Sequence, residues 1–473
     1  MSPASAAAAT ARGPVASSSS APAGDWSPTS WTKRVQAQAV AYPDQAALDA
    51  AVTRLSQLPP LVTSWEIERL RDQIAEAQMG RRFLLQGGDC AETLADCQPD
   101  VIARKLKILM QMSLVLIHGS QKPVIRMGRW AGQYAKPRSS ATETRDGVTL
   151  PSYFGDLLNR QDFTPAARTP DPELLLQGYL HAAITMNFVR SLAAGGFADL
   201  HHPEFWDLSH LSRADLSPQM RDEYQGMVRQ LSEALRFMEA LGERAVDDLT
   251  RVEFFASHEG LSLYYEAAQT KVVPRREGHY DLSTHMPWIG ERTRDVDGAH
   301  VEFFRGIRNP VGVKVGPKAS PAELITLLDR LNPGNELGKI VLISRCGAGK
   351  VAEALPPLIE AVKREGRHVL WISDPMHGNG RLTSTGIKTR DFQDILREVE
   401  ISFEVHERMG THLGGVHFEL TGDDVTECIG GGLNEGDLDR NYLSACDPRL
   451  NYRQALEMAF RLSKRMAVSQ RAR

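Results

Sequence analysis

The chain has 473 residues, 42% hydrophobic and 24% charged, with a formal net charge of −4, which is enough apolar material for a large core in one extended domain or in two. The near-neutral balance gives no electrostatic basis for a nucleic-acid or anionic-membrane partner, so a site for a polyanion must be local. Five scattered cysteines (Cys90, Cys97, Cys346, Cys428 and Cys446) without CxxC spacing argue against a disulfide framework or a zinc knuckle, and for a reducing compartment.

Residues 1–24 are rich in Ala, Ser and Pro, carry one base, Arg12, and no acid. Such a segment buries too little apolar surface to order itself, and a disordered tail is expected. It lacks the apolar stretch of a secretory signal, and its shortness and scarcity of arginine place a plastid leader behind a cytoplasmic location. An N-terminal extension, 25–80, follows. The most apolar stretch, Leu106–Ile117, carries Lys107 and Gln111 and is too short to span a bilayer, so no membrane segment is expected.

From residue 81 to 473 the chain repeats a short β-rich run, a polar or glycine-containing turn, and usually a helical period. Eight runs are legible: Phe83–Gln86, Val124–Met127, Val252–Ala256, Met286–Ile289, Val311–Val315, Ile340–Ser344, His368–Ser373 and Val416–Leu420. Several are almost continuously apolar, as strands buried on both faces are. Alternation of strand and helix suits an α/β protein, and eight units favour a closed (β/α)8 TIM barrel over an open sheet. Between the second and third runs, Ser139 to Thr250 is too long for a loop. Asp171–Pro172 and Ser217–Pro218 read as helix starts, and Met220, Tyr224, Met227, Leu231, Leu235, Met238 and Leu241 share one face. A helical insertion over about 170–250 is therefore expected. Later, Phe392, Ile395, Leu396, Val399 and Phe403 mark a helix stopped by Gly410, and a last helix after Asn451 is expected to run along the barrel.

The residues after the runs carry the chemistry: Asp89 and Cys90, Arg129, His258 and Glu259, Glu291 and Arg292, Lys314, Arg345, Asp374 and His377, and Glu419. A closed barrel gathers all of them at its C-terminal mouth. Any one polar strand end is equally explained by contact with water, but so many clustered charges without a ligand would be costly. Cys90, His377, Glu419 and Asp447 form a mixed thiolate, imidazole and carboxylate set suited to a first-row divalent metal, manganese first, with cobalt, iron or zinc as alternatives. Arg129, Lys136, Arg138, Arg292, Lys314 and Arg345 add six bases for a polyanionic ligand. Gly347–Lys350 lacks the first glycine and the final Ser or Thr of a phosphate-binding loop, and no GxGxxG follows the first strand.

Several strings are long and specific: LQGGDCAE (85–92), GRWAGQYAKPRS (128–139), ASHEG (256–260), WIGERTR (288–294), NPVGVKVGP (309–317), SDPMHGN (373–379), GGVHFELTGDDVTEC (414–428) and CDPRLN (446–451). In these, from about Asp25 to the C-terminus, the chain resembles the class II 3-deoxy-D-arabino-heptulosonate 7-phosphate synthases. The resemblance implies condensation of phosphoenolpyruvate with erythrose 4-phosphate, the first step of the shikimate pathway. It implies Cys90, His377, Glu419 and Asp447 as metal ligands, and Arg129, Glu291, Lys314 and Arg345 as the phosphoenolpyruvate pocket. Lys136, Arg138, Ser139 and Arg292 resemble the erythrose 4-phosphate contacts, and Glu259 the carboxylate that holds the attacking water, with Lys136, Glu259 and Lys314 in catalytic roles. The extension and the insertion resemble those of a longer branch, which implies a homo-oligomer inhibited by aromatic amino acids, with chorismate mutase as a possible partner.

Gly380 and Cys346 stand where the family commonly has threonine and methionine. They leave open an amino-sugar version of the reaction; a different metal-dependent aldolase and a catalytically silent regulatory relative are the other readings. Cys446 adjoins Asp447, so a disulfide with Cys90 on loss of metal is a further expectation.

Overall fold

The computed structural model describes residues 26–195, 218–240 and 252–471. The expected tail, 1–24, and the insertion over 196–217 and 241–251 lie outside them.

All eight expected strands form, with shifted ends: β1 (Phe83–Gly88), β2 (Val124–Arg129), β3 (Phe255–Ala256), β4 (Trp288–Ile289), β5 (Val311–Val315), β6 (Ile340–Ser344), β7 (Leu370–Ser373) and β8 (Gly415–Glu419). They pair in parallel in the order β3-β2-β1-β8-β7-β6-β5-β4. The two edge strands then meet: Trp288 N donates to His258 O at 3.0 Å and Gly260 N to Trp288 O at 3.1 Å, a parallel bridge opposite Glu259. The sheet closes on itself, which removes its edges. β3 and β4 are shorter than the apolar runs suggested, because Val252–Phe254 and Met286–Pro287 make no regular pairing.

Helices α1 (Gln45–Gln57) and α2 (Ser64–Gln78) belong to the extension, and α3 (Pro99–Ser120) joins β1 to β2. The insertion supplies α4 (Glu173–Ala194) and α5 (Pro218–Ala240). The start of α4 is one residue past the expected one, with Asp171 Oδ1 accepting from Glu173 N at 3.0 Å. The outer ring continues with α6 (Leu263–Gln269), α7 (Ala299–Phe304), α8 (Pro321–Leu331), α9 (Val351–Arg364) and α10 (Phe392–Arg408), and the last helix is α11 (Tyr452–Arg471). Local chemistry sets these ends: Ser320 caps α8 by accepting from Glu323 N at 3.2 Å, with Pro321 in the first position. Gly410, at φ 66°, takes the left-handed turn that stops α10.

The N-terminal end of the barrel is closed by α2. Its Thr63–Glu66 capping box fixes the entry, and Leu70, Ile74 and Ala77 pack with the inward side chains Leu84, Ile125, Phe255, Met286, Val341 and Leu370. Burying each large aliphatic side chain there contributes about 1.5–3 kcal/mol. No helix among the described residues is long and apolar enough to cross a membrane.

Candidate functional site

Side chains alternate across a strand, so the positions that face inward continue the core upward until it meets the mouth. On β2 the series Ile125, Met127, Arg129 runs from apolar to charged; on β8 it is Gly415, His417, Glu419; on β7 Leu370 and Ile372 lead to Asp374; on β5 Gly312 leads to Lys314. Arg129, Lys314, Asp374 and Glu419 are all buried, at 1%, 4%, 0% and 0% exposure.

The centre of the cluster is anionic. Donor atoms of Cys90, Glu419 and Asp447 lie within 4.8 Å of one another. The Lys136 ammonium stands among them, 2.7 Å from Cys90 Sγ, 3.0 Å from Glu419 Oε1 and 2.5 Å from Asp447 Oδ2. His377 is outside that mutual set but touches it, with Nε2 3.0 Å from Glu419 Oε1. Asp374 accepts from the His377 ring at 2.7 Å through Nδ1, which leaves Nε2 aimed at Glu419 and fixes the ring as an outer carboxylate does for a metal-binding histidine.

The electrostatics follow from burial and these neighbours. Burial pushes Glu419 up, but His377, Lys136, Arg390 and Arg129 outweigh it and hold the carboxyl well below its ordinary range. Asp447 is likewise held well down, Lys136 foremost against burial. Burial, a hydrogen bond with Cys446 and the Glu419 charge drive the Cys90 thiol up, against Lys136. An ammonium thus balances a cradle of two carboxylates and a thiol, and the soft donor fits a first-row divalent ion better than magnesium. A bound cation would invert the thiol's position, because a coordinated thiol is deprotonated.

Beside the cradle opens a cleft of about 380 Å³, lined by Lys136, Arg138, Ser139, Glu259, Glu291, Arg292, Lys314, Arg345, His377 and Asp447 among others. Ten of the residues named from the sequence meet there. Cys90 and Glu419 lie just behind it, and Arg129 is covered: Nε donates to Asp89 O at 2.9 Å, Nη2 to Cys90 O at 3.0 Å and Glu419 Oε1 at 3.1 Å, and Nη1 lies 2.5 Å from His417 Nε2. Burial holds His417 neutral, so that nitrogen accepts. Arg345 donates to His377 O at 3.0 Å, Lys314 pairs with Asp374 at 3.1 Å, and Glu291 accepts from Gly316 N at 2.7 Å. Arg138 leans on Cys446 Sγ at 3.2 Å and Glu143 at 3.4 Å. Arg292 and Ser139 are exposed at the wall. Glu259 Oε1 is buried without a protein partner.

Sequence reasoning placed Asp374 at the mouth without a specific part and passed over His417, although both lie on the inward alternation. It also passed over Arg381, Lys388 and Arg390, which line the cleft from the hairpin Gly380–Leu382 and Lys388–Arg390. Arg390 pairs with Glu419 at 2.8 Å, and Lys388 pairs with Asp447. The signal was present as three bases flanking the turn residues Thr383–Gly386.

Comparison with known proteins adds an independent line. The chain is 48% identical over 453 residues to a phospho-2-dehydro-3-deoxyheptonate aldolase of Neurospora crassa, covering 92% of this chain and 93% of that one. It is 49% identical over 432 residues to one of Streptomyces coelicolor, covering 91% and 95%. A solved phospho-2-dehydro-3-deoxyheptonate aldolase from Francisella tularensis is 14% identical with a TM-score of 0.43, covering 91% of this chain and 98% of its own. A family model described as the class-II DAHP synthetase family matches residues 26–463, and on that span and those identities this chain belongs to the class-II DAHP synthetase family.

Proposed function

We propose that this protein condenses phosphoenolpyruvate with erythrose 4-phosphate and water to give 3-deoxy-D-arabino-heptulosonate 7-phosphate and phosphate. Besides family membership, one observation carries the reading: an anionic cradle built around a positive charge opens onto a cleft walled by Arg292, Lys314 and Arg345. Two phosphorylated substrates need such a basic wall to offset their mutual repulsion.

Cys90, His377, Glu419 and Asp447 are the side chains that would hold a divalent metal, manganese before cobalt, iron or zinc, and the cation supplies Lewis acidity toward the aldehyde oxygen of erythrose 4-phosphate. Lys314 and Arg345, with Glu291 anchoring the loop that follows Lys314, hold phosphoenolpyruvate with C3 toward that aldehyde. Arg292, Arg138, Ser139 and Lys136 hold erythrose 4-phosphate. As the C3–carbonyl bond forms, Lys136, whose ammonium lies against the Glu419 and Asp447 carboxylates, delivers a proton to the aldehyde oxygen. C2, left electron-poor, takes a water held by the unpartnered Glu259 oxygen, which accepts the water's proton. The resulting carbon centre bears hydroxyl and phosphate ester, and its collapse to the ketone expels phosphate. The resemblance implied a direct phosphoenolpyruvate contact for Arg129. Its engaged guanidinium supports a positioning part instead, fixing Glu419 from behind.

The test is phosphate release by the full-length protein with both substrates, with and without chelator. Release that needs both substrates and stops on chelation is expected; a metal-binding protein that releases no phosphate would return the silent-relative reading. The family reading also carries a cytoplasmic homo-oligomer, a possible chorismate mutase partner and feedback inhibition. Inhibition by tryptophan, phenylalanine or tyrosine, singly or mixed, is expected in the same assay, and indifference to all of them would refute the regulatory part.

A further inference from the structure

Cys90 and Asp447 sit on loops at opposite ends of the catalytic region, one after β1 and one before α11, and yet Asp447 N donates to Cys90 Sγ at 3.0 Å. Behind them, away from the cleft, runs a buried ion-pair chain that the reaction does not use. Asp89, next to Cys90, turns its carboxylate away from the cleft, with Oδ2 2.5 Å from Lys105 Nζ on α3 and Oδ1 2.6 Å from Arg449 Nη1. Arg449 stands two residues past Asp447. Its other edge is held by Glu427, with Nε donating to Oε2 at 3.0 Å and Nη2 to Oε1 at 2.7 Å. Glu427 also accepts from three backbone amides of the same loop: Leu443 N at 3.2 Å, Ser444 N at 2.8 Å and Arg449 N at 2.7 Å. One carboxylate therefore draws residues 443–449 into a closed turn with Asp447 on it, and one guanidinium ties that turn to the loop of Cys90.

We infer that Arg449 is a positioning residue for the cation cradle: by bridging Asp89 and Glu427 it sets the separation of Cys90 Sγ and the Asp447 carboxylate, and through it the affinity for a divalent ion. The inference rests on the reading of Cys90 and Asp447 as cation ligands. Two features distinguish the bridge from ordinary stabilising charge. Asp89 and Glu427 are both wholly buried, and only a planar fork with donors on two edges can serve both at once; a lysine ammonium, a single point charge on a flexible stem, cannot hold the same geometry. Cys90 follows Asp89 directly and Asp447 lies two residues before Arg449 on the turn that Glu427 holds, so a slip in the bridge is a slip in the donor set. Groups one layer behind a metal's ligands typically alter its affinity by about 10- to 100-fold when removed.

The experiment is calorimetric titration of manganese ion into metal-stripped full-length protein, comparing the parent with Arg449→Ala, Arg449→Lys, Glu427→Gln and Cys90→Ser. Arg449→Ala is expected to weaken manganese binding by about 10- to 100-fold, and Arg449→Lys to weaken it less. Phosphate release by Arg449→Ala should return towards the parent rate at saturating manganese, which a general loss of structure would not allow. Parent-like manganese affinity in folded Arg449→Ala, with affinity lost in Cys90→Ser, overturns the inference while leaving the ligand reading intact. Parent-like affinity in Cys90→Ser overturns the ligand reading, and the inference falls with it. If Arg449→Ala does not fold, Arg449→Lys and Glu427→Gln decide by the same titration, and parent-like affinity in both overturns the bridge.

Discussion

At the N-terminal end of the barrel the inward positions hold Leu84, Ile125, Val341 and Leu370 under the α2 residues Leu70, Ile74 and Ala77. Four residues further along, the strands of Ile125, Val341 and Leu370 lead to Arg129, Arg345 and Asp374, and β8 ends in Glu419 of the cradle. One backbone geometry serves both ends. The lower layer is satisfied by close packing alone, whereas the upper layer is a set of largely buried charges satisfied by one another, by backbone carbonyls and by ligands. Stability and reactivity are thereby separated along each strand, and substitutions at the two ends should have different signatures.

Cys90→Ser should give the greatest loss. Removing a soft donor from the cradle should weaken manganese binding and cut phosphate release on the order of 1000-fold, since Lewis-acid stabilisation is worth several kcal/mol; chelator-resistant turnover at the parent rate would remove the metal from the mechanism. At the other end, Ile74→Ala should lower unfolding free energy by about 2–5 kcal/mol while leaving kcat/KM per folded molecule close to the parent value. Denaturant unfolding and phosphate release on the same preparation check this, and a catalytic loss without a stability loss would show that the two ends are not separate. Next comes Arg292→Ala, which removes an exposed wall charge and should raise KM for erythrose 4-phosphate about 10- to 100-fold, as loss of a charge-assisted hydrogen bond of about 1.5–3 kcal/mol would. A larger rise for phosphoenolpyruvate would exchange the two subsites.

An effect on stability alone, spread over a pH range, concerns Glu398 on α10, outside the cleft, which accepts from Cys346 N and Gly347 N at 2.8 Å each and from Asn379 at 2.7 Å. Burial pushes its carboxyl up to about 7 against the amide hydrogen bonds of Gly347 and Cys346, with Asp374 adding to the rise. The folded protein then binds more protons at this group than the unfolded chain between its ordinary value of 4.5 and about 7. Its contribution to stability is complete below the lower value and is lost as pH rises through the upper one. Relative to the non-titrating Glu398→Gln, the parent should lose on the order of 3 kcal/mol of stability between pH 4.5 and 7.5. Parallel denaturation profiles across that range would show that the group does not titrate there.

All eight strands were legible because a strand buried on both faces reads as a short apolar run, and the helix starts at Asp171–Pro172 and Ser217–Pro218 because capping chemistry is local; those helices begin at Glu173 and Pro218. The polar residues after each strand were legible for the same reason, and six of the twelve named line the cleft. Contacts made across the chain were not legible. Arg129 looked like any other mouth arginine, and only the fold shows it engaged by Asp89, Cys90 and His417; nothing in the spacing showed that Lys136 would also stand against Cys90. The salt bridge of Arg449 to Asp89 spans 360 residues, and no spacing rule connects positions so far apart.

Residue order alone determined the number of strands, the alternation that sends charge to one end of each, and the inventory of thiol, imidazole, carboxylate and guanidinium groups. These depend on interactions within a few residues, where backbone geometry converts spacing directly into direction. The closed fold decided which groups line the cleft, which stand behind it, and which cation neutralises which anion. Those outcomes depend on distances and burial between remote segments, and a buried charge is governed by whatever neighbour folding brings within a few ångströms of it.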